Sequence, residues 1–146
     1  MKVIAQNRRA KFDYEILETL EAGIVLSGQE VKSCRMGHAD LRGAYLSFQR
    51  GRPVLKQAKI MPYAFASGLD GYDPGRDRQL LLSKEQVEKV SSMIDQKGIA
   101  VIPLEIRAGK YIKMLLGVGR GRKRLDKRAA IKEKDVKRKL RKGQEI

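Results

Sequence analysis

The positive charge of this sequence is concentrated toward its C-terminal end, and this division limits what the chain can fold into. Residues 107–146 contain 16 Lys or Arg and four acidic residues, a net charge of +12, whereas residues 1–106 contain 16 Lys or Arg and 13 acidic residues, a net charge of +3. Blocks of like charge repel one another and usually serve as interaction tails for polyanions. We therefore predict a globular body over residues 1–118 and a basic tail over residues 119–146.

The composition is that of a folded protein from a reducing compartment. Hydrophobic residues make up 42% of the chain, which is enough to build a core. The single cysteine, Cys34, excludes an intramolecular disulfide and is interpreted as a small buried residue. Residues 1–9 contain no apolar signal-peptide segment, and no apolar run approaches the ~18 residues of a membrane span. We expect a cytoplasmic monomer with no membrane partner.

Alternation of apolar and polar residues predicts a mainly β fold with about six short strands. These cover residues 12–16 with a continuation at 24–26, then 44–48, 54–60, 78–82, 99–106 and 111–118. Capping boxes at residues 27–30 and 83–86 predict two helices that end near Gly37 and Gly98. Short strands at regular spacing, with two flanking helices, favour a small OB-like β-barrel, because closing a sheet removes its edges.

Glycine and proline mark the irregular parts of the chain. Residues 61–76 form a long loop with several Gly and Pro, and loops of this length are often functional. Pro103 within a predicted strand indicates an edge position or a bulge, because proline cannot donate a ladder hydrogen bond. The glycines at 117, 119 and 121 are interpreted as a hinge. Residues 129–140 are rich in helix formers, and we expect the basic tail over residues 119–146 to be disordered in the free protein and helical on a phosphate surface.

The sequence contains few of the residues that catalytic and metal sites require. His38 is the only histidine, and one His with one Cys cannot build a zinc site of the usual types. A Ser–His–Asp triad would have to use His38, and no nucleophile-elbow motif is present. We therefore predict no catalytic residues, no metal and no cofactor. The basic tail indicates a nucleic-acid partner, because Lys and Arg that neutralise phosphates release condensed counterions.

Short motifs along the whole chain resemble one known family. In order, they are Asn7-Arg8-Arg9-Ala10, Asp13-Tyr14, Glu21-Ala22-Gly23-Ile24, Gly28-x-Glu30-Val31-Lys32-Ser33-x-Arg35-x-Gly37, Leu41, Tyr45, Asp73-Pro74-x-Arg76-x-Arg78-x-Leu80-Leu81-Leu82, Pro103-Leu104 and Gly121-Arg122-Lys123-x-x-Asp126-Lys127-Arg128. Together they resemble the bacterial tmRNA-binding family known as small protein B, or SsrA-binding protein. Two positions depart from the family pattern: Leu125 replaces a frequent aromatic or His, and Phe12 replaces a common His.

The resemblance implies an OB-like barrel without enzymatic activity. Such a protein binds the tRNA-like domain of tmRNA and accompanies it into ribosomes stalled on messages without a usable stop codon, the process called trans-translation. Its body stands in for the missing anticodon arm, and its tail enters the empty mRNA channel of the small subunit near the decoding centre. Elongation factor Tu with alanylated tmRNA is a further partner that the resemblance implies.

Two groups of site residues follow from the resemblance. RNA binding is assigned to Asn7, Arg8, Arg9, Glu21, Lys32, Arg35, Arg76 and Arg78. Ribosome probing by the tail is assigned to Arg122, Lys123, Asp126, Lys127, Arg128 and Lys132. Spacing alone places Lys32 and Arg35 on one helix face. It also points Arg76 and Arg78 to one side of an extended segment. Each pair is either a phosphate clamp or ordinary surface charge.

Two other functions compete with this hypothesis. A ribosomal protein or assembly factor could bind ribosomal RNA through the same barrel and tail. A hydrolase on an OB-like scaffold is the third hypothesis, and the single histidine counts against it. RNA preference separates the first two, because one requires a structured tRNA-like RNA and the other a ribosomal RNA fragment.

Overall fold

The computed structural model describes residues 2–122, which form nine strands and three helices. The strands are β1 Lys2–Gln6, β2 Tyr14–Ile24, β3 Ala39–Asp40, β4 Tyr45–Gln49, β5 Arg52–Lys56, β6 Lys59–Ile60, β7 Arg78–Leu81, β8 Ile99–Ala108 and β9 Ile112–Gly121. The helices are α1 Ala10–Asp13, α2 Gly28–Arg35 and α3 Lys84–Ile94. The tail residues Lys123, Asp126, Lys127, Arg128 and Lys132, and the helix predicted over 129–140, lie outside the described residues.

Seven of the strands form one antiparallel sheet in the order β1-β8-β9-β2-β7-β5-β4, and β3 pairs with β6 separately. Strand β4, at one end of this order, also lies against β8 near the other end, so the sheet curls on itself. The predicted mainly β, OB-like class is confirmed. The strands are more numerous than the six expected, and the third helix, α1, is formed by residues 10–13. Part of that segment was assigned to a strand, which instead begins at Tyr14.

The local signals at helix ends and at Pro103 have clear structural outcomes. Both capping boxes are present, with the hydroxyls of Ser27 and Ser83 accepting backbone N–H groups at the third helical positions. The register of the β8–β9 pair shifts between Pro103 and Glu105, so the bulge is confirmed. The alternative edge position is wrong, because β8 lies between β1 and β9.

The core lies inside the curl of the sheet and is made mostly of aliphatic side chains. Its fully buried members include Leu55, Leu80, Val101, Met114 and Leu116. Cys34 is also completely buried, as expected of a small apolar residue, and burial raises the pKa of its thiol to about 11. A thiol in this state is neutral at physiological pH and acts as a packing group.

The glycines at the end of the body belong to a paired strand. Gly117 and Gly119 lie in β9 between β2 and β8, and Gly119 is paired with Ile16 on one side and Ala100 on the other. A Cβ at Gly119 would lie 2.9 Å from the Cβ of Tyr14, so glycine is needed for the close approach of the two strands. The hinge prediction is therefore wrong for Gly117 and Gly119, because hydrogen-bonded strands hold them on both sides.

Candidate nucleic-acid interface

Helix α2 separates a buried side from a basic, exposed side. Ser33 and Cys34 are fully buried against the body, whereas Lys32 and Arg35 are exposed. The i, i+3 spacing puts the two cations on one face, as the sequence predicts. The N-terminus of α2 is capped and its inner face is packed against the body. The helix therefore holds Lys32 and Arg35 in fixed relative positions.

Arg35 joins this face to the turn between β8 and β9. Its Nη2 donates to the carbonyl oxygens of Gly109 at 3.1 Å and Lys110 at 3.4 Å. The turn carries Lys110 and the ring of Tyr111, and Lys113 follows at the start of β9. An open groove between α2 and the hairpin is lined by Arg35, Lys110, Tyr111 and Lys113, with Gly23 and Leu81 among its other lining residues.

Lys32, on the same face of α2, extends toward the loop over residues 61–77. Its Nζ lies 5.6 Å from the centre of the Tyr63 ring, within the range of a cation–π contact. The loop is fixed to α2 by hydrogen bonds, since Tyr63 N–H donates to the side-chain oxygen of Gln29 at 2.9 Å and the Ser33 hydroxyl donates to the Met61 carbonyl. Next to Tyr63, the ring of Phe65 packs edge to face at 5.5 Å and is 80% exposed.

We call the surface formed by Lys32, Arg35, Tyr63, Phe65, Lys110, Tyr111 and Lys113 the α2 platform. Sequence reasoning found Lys32 and Arg35 but missed the aromatic rings and the two hairpin lysines. The available signals were the length of the 61–76 loop, which contains Tyr63 and Phe65, and the turn predicted at residues 107–110. Neither signal says which side chains stand beside α2, because that depends on pairing between distant parts of the chain.

A buried ion-pair network lies beneath this surface. Arg78 donates to Glu30 Oε2 from Nε at 2.9 Å and from Nη2 at 2.7 Å, and both side chains are completely buried. Arg76 also bonds Glu30, through Nε to Oε2 at 3.2 Å and through Nη2 to Oε1. The remaining Arg78 donors reach the carbonyls of Ala58 and Pro74 and the Tyr72 hydroxyl, among other acceptors.

Arg78 is thus a correction to the set of residues predicted for RNA contact. Its guanidinium has no exposed surface and is fully occupied by acceptors within the protein, so it cannot act as a surface phosphate clamp. Arg76 is intermediate, because its side chain is 39% exposed while part of its guanidinium is committed to Glu30. The two arginines do point to one side, as the spacing predicts, but that side faces a carboxylate.

The electrostatics of Glu30 follow from its surroundings. Burial on its own raises the pKa of this carboxyl, but hydrogen bonds from Arg76, from the Ser27 backbone and from Arg78 outweigh burial and lower the pKa to about 2. Glu30 therefore stays ionised at physiological pH. The same carboxylate completes the α2 capping box through the Ser27 N–H at 2.9 Å, so one side chain ties the helix start to β7 and the loop.

The N-terminal motif divides into one structural residue and two exposed cations. Asn7 donates from its side chain to the carbonyls of Pro103 at 3.0 Å and Leu41 at 3.4 Å, which fixes the chain as it leaves β1. Arg8 is exposed and lines a second open groove together with Lys11. Arg9 is also exposed, and its Nε lies 3.8 Å from Asp13. The structure places neither arginine in the α2 platform.

The two remaining predicted residues within the described part of the chain are Glu21 and Arg122. Glu21 is exposed on β2, opposite Leu115 of β9. Arg122 follows the last residue of β9, and its backbone N–H donates to the Asp13 carbonyl at 2.9 Å. The described part of the chain therefore ends next to α1.

Among residues 2–122, no group of three or more His, Cys, Asp or Glu is arranged to hold a metal ion. No helix in the same range is long and apolar enough to cross a membrane.

The curled antiparallel sheet and the basic, aromatic surface beside it place this chain in a class of small OB-like β proteins. The family model described as "SmpB protein" matches residues 4–145. Two relatives named "SsrA-binding protein" share this similarity. The one from Coprothermobacter proteolyticus is 45% identical over 148 residues, covering 100% of this chain and 99% of its own. The one from Synechococcus sp. (strain JA-3-3Ab) is 44% identical over 141 residues, covering 96% and 92%.

A solved structure agrees with the sequence comparison. It is described by the words "tmRNA-SmpB: a journey to the center of the bacterial ribosome", and it matches with a TM-score of 0.69 at 43% identity, covering 86% of this chain and 92% of that one. The chain belongs to the SmpB family, the family of the SsrA-binding proteins.

Proposed function

We propose that this protein binds the tRNA-like domain of tmRNA and delivers it to stalled ribosomes for trans-translation. Membership of the SmpB family supports the choice of RNA. The observation that carries the proposal on the molecule itself is the exposed pair Lys32 and Arg35, held on a capped helix and joined to a hairpin with two more lysines. Fixed cations of this kind neutralise phosphates and release counterions, which drives RNA binding.

The contacts are divided between positioning and binding residues. Arg8, Arg9, Lys32 and Arg35 bind phosphates directly, because all four are exposed. The exposed part of the Arg76 side chain contributes to phosphate binding. The exposed carboxylate of Glu21 accepts a hydrogen bond from a base amino group. Asn7 and Arg78 act indirectly by holding backbone and loop in place.

The basic tail carries out the ribosomal part of the function. Residues Arg122, Lys123, Asp126, Lys127, Arg128 and Lys132 enter the empty mRNA channel near the decoding centre, where rRNA phosphates neutralise their charge. The protein acts as a cytoplasmic monomer without catalytic chemistry. It accompanies alanylated tmRNA together with elongation factor Tu.

A comparison of two RNAs tests this function against the ribosomal-protein alternative. The purified protein is titrated, at one fixed salt concentration, with the tRNA-like domain of tmRNA and with a ribosomal RNA fragment of equal length. We expect at least about tenfold tighter binding to the tRNA-like RNA, a threshold well below the roughly thousandfold or greater preference typical of specific over non-specific recognition. Equal or tighter binding of the ribosomal fragment would overturn the proposal. Sequencing of RNA crosslinked to the protein in cells gives an independent readout of the same preference.

A further inference from the structure

The α2 platform combines cations and aromatic rings in a repeated arrangement. Lys32 Nζ lies 5.6 Å from the Tyr63 ring centre on one side of α2, and Lys110 Nζ lies 5.7 Å from the Tyr111 ring centre on the other. Arg35, on the same helix as Lys32, donates to the Lys110 carbonyl oxygen and so joins α2 to the second pair. The two most exposed aromatic side chains of the described residues, Phe65 and Tyr111, therefore belong to a surface that also carries positive charge.

The rings are exposed although their backbone is anchored. Phe65 is 80% exposed and Tyr111 is 65% exposed. The first lies on a loop bonded to Gln29 and Ser33, and the second lies in a tight turn where Gly109 N–H donates to the Tyr111 carbonyl at 3.2 Å. Exposed apolar surface rimmed by polar residues marks an interaction or ligand site, and an anchored backbone holds such a site in a defined geometry.

We propose that Phe65 and Tyr111 are stacking positions for unpaired RNA bases, with Lys32 and Arg35 holding the phosphates between them. This inference rests on the proposed function and deepens it by naming the class of RNA element that the platform takes. Aromatic side chains offer a flat face to any base, and neighbouring cations follow the backbone, which is the general design of single-strand binding surfaces. The ligand is thus an exposed loop of a folded RNA, whose bases are free to stack.

The charge of the platform favours RNA over a protein partner. An apolar protein surface that covered Phe65 and Tyr111 would also have to remove water from Lys32, Arg35 and Lys110 without supplying counter-charges. A nucleotide presents a base to the ring and a phosphate to the cation in the same unit. Double-stranded RNA cannot place its bases on the rings of the α2 platform, because these bases are stacked on one another inside the helix.

Four variants test the stacking positions directly. Phe65→Leu and Tyr111→Leu keep an apolar side chain but remove the aromatic face, whereas Phe65→Tyr and Tyr111→Phe keep the face and serve as matched controls. Binding is measured with the tRNA-like domain of tmRNA and with a perfectly paired RNA hairpin of the same length. We expect each leucine variant to bind the tRNA-like RNA about tenfold more weakly, which is about 1.4 kcal/mol, with an unchanged salt slope. The aromatic controls should bind within about twofold of the parent.

A spectroscopic readout separates stacking from simple contact. The sequence contains no tryptophan, so Tyr111→Trp or Phe65→Trp introduces a single tryptophan, whose emission can be excited selectively over that of the tyrosines. Its emission should be quenched by the tRNA-like RNA and unaffected by the paired hairpin. Unchanged thermal unfolding of all variants confirms that the exposed substitutions leave the fold intact.

The possible results have distinct meanings. Leucine variants that bind the tRNA-like RNA as tightly as the parent would overturn the stacking proposal and leave the proposed function standing. Leucine variants that keep RNA affinity but lose ribosome association would also overturn it, and would make the rings a docking site on a ribosomal protein. Failure of the parent itself to prefer the tRNA-like RNA would overturn the proposed function.

Discussion

The carboxylate of Glu30 accepts two hydrogen bonds from the guanidinium of Arg78 on the same oxygen, at 2.7 and 2.9 Å, and neither side chain has any exposed surface. The residues are 48 positions apart in the chain, one in the first turn of α2 and the other at the start of β7. This contact orients α2 relative to the sheet. The position of α2 in the α2 platform therefore depends on a buried ion pair that itself contacts no ligand.

The first prediction concerns the pH dependence of stability. The pKa of Glu30 falls from its ordinary 4.5 to about 2 on folding, so the stabilising contribution is fully present above pH 4.5 and is lost as the pH falls toward 2. It amounts to roughly 3 kcal/mol, because each unit of pKa is worth about 1.4 kcal/mol. Urea unfolding of the parent and of Glu30→Gln from neutral pH down to about pH 3 measures it.

The Glu30→Gln variant is the control for the parent protein in this experiment. The variant lacks the titrating group, so its stability should change less than that of the parent over the acidic range. Parallel pH curves for the two proteins would contradict the depressed pKa of Glu30.

The second prediction compares the two arginines that bind Glu30. Arg78→Gln leaves a buried carboxylate with fewer partners and should destabilise the protein by about 3–5 kcal/mol. Arg76→Gln should cost clearly less, because Arg76 is 39% exposed and water replaces part of its contacts. Free energies of unfolding from urea curves provide the measurement. If the two variants lost equal free energies of unfolding, the difference in burial between Arg78 and Arg76 would not determine their contributions to stability.

Local signals in the sequence predicted the longer elements of this fold, but not β1, β3 or α1, and the partners of Arg76 and Arg78 could not be read from it. Capping boxes and the bulge at Pro103 depend on residues a few positions apart, and both were predicted correctly. The spacing of Arg76 and Arg78 shows that they point one way. It does not reveal Glu30, more than 40 positions earlier. The sequence therefore left a phosphate clamp and ordinary surface charge as the alternatives, and neither describes the internal ion pair.

The spacing of the glycines at 117, 119 and 121 led to the incorrect hinge prediction for a related reason. Three alternating glycines look like a flexible hinge when only the local chain is considered. In the structure, Gly119 is required because Tyr14 on the neighbouring strand approaches it closely. The need for glycine therefore comes from a contact with β2, and no pattern within residues 117–121 records that contact.

The third prediction tests this interpretation of Gly119. Gly119→Ala should destabilise the protein by about 1–3 kcal/mol, because the new Cβ would lie 2.9 Å from the Tyr14 Cβ and 3.2 Å from the Glu15 carbonyl oxygen. Gly121→Ala is the matched control, since a Cβ there meets no heavy atom within 4 Å. Thermal unfolding of both variants provides the comparison. Equal stability of the two would support a hinge and contradict the packing argument.

The fourth prediction concerns where the chain can be shortened. A protein ending at Arg122 keeps all of β9, and it should bind the tRNA-like RNA with the affinity that the body provides but fail to rescue stalled ribosomes. A protein ending at Val118 also loses the β9 residues paired with Tyr14, Glu15 and Ile16, so it should unfold at a lower temperature. Thermal melts, RNA titrations and a peptide-tagging assay on stalled ribosomes separate the two effects. Full rescue by the protein ending at Arg122 would remove the tail from the proposed function.

The last prediction measures the contribution of the two platform cations to RNA binding. Replacing Lys32 and Arg35 together with Ala should weaken binding to the tRNA-like RNA and lower the slope of log affinity against log salt by up to about two units, because each lost phosphate contact lowers it by roughly one. Stability should change by about 0.5 kcal/mol or less for Lys32, which is exposed, and by about 1 kcal/mol for Arg35, which also loses its hydrogen bonds to the Gly109 and Lys110 carbonyls. The matched control replaces Lys84 and Lys97, two exposed lysines at the start of α3 and just after it, and removes the same charge from another surface. If affinity depended only on net charge, the two double variants would bind alike. A reduced slope confined to the Lys32 and Arg35 variant would place RNA phosphates on α2, because only a local contact distinguishes two proteins of equal charge.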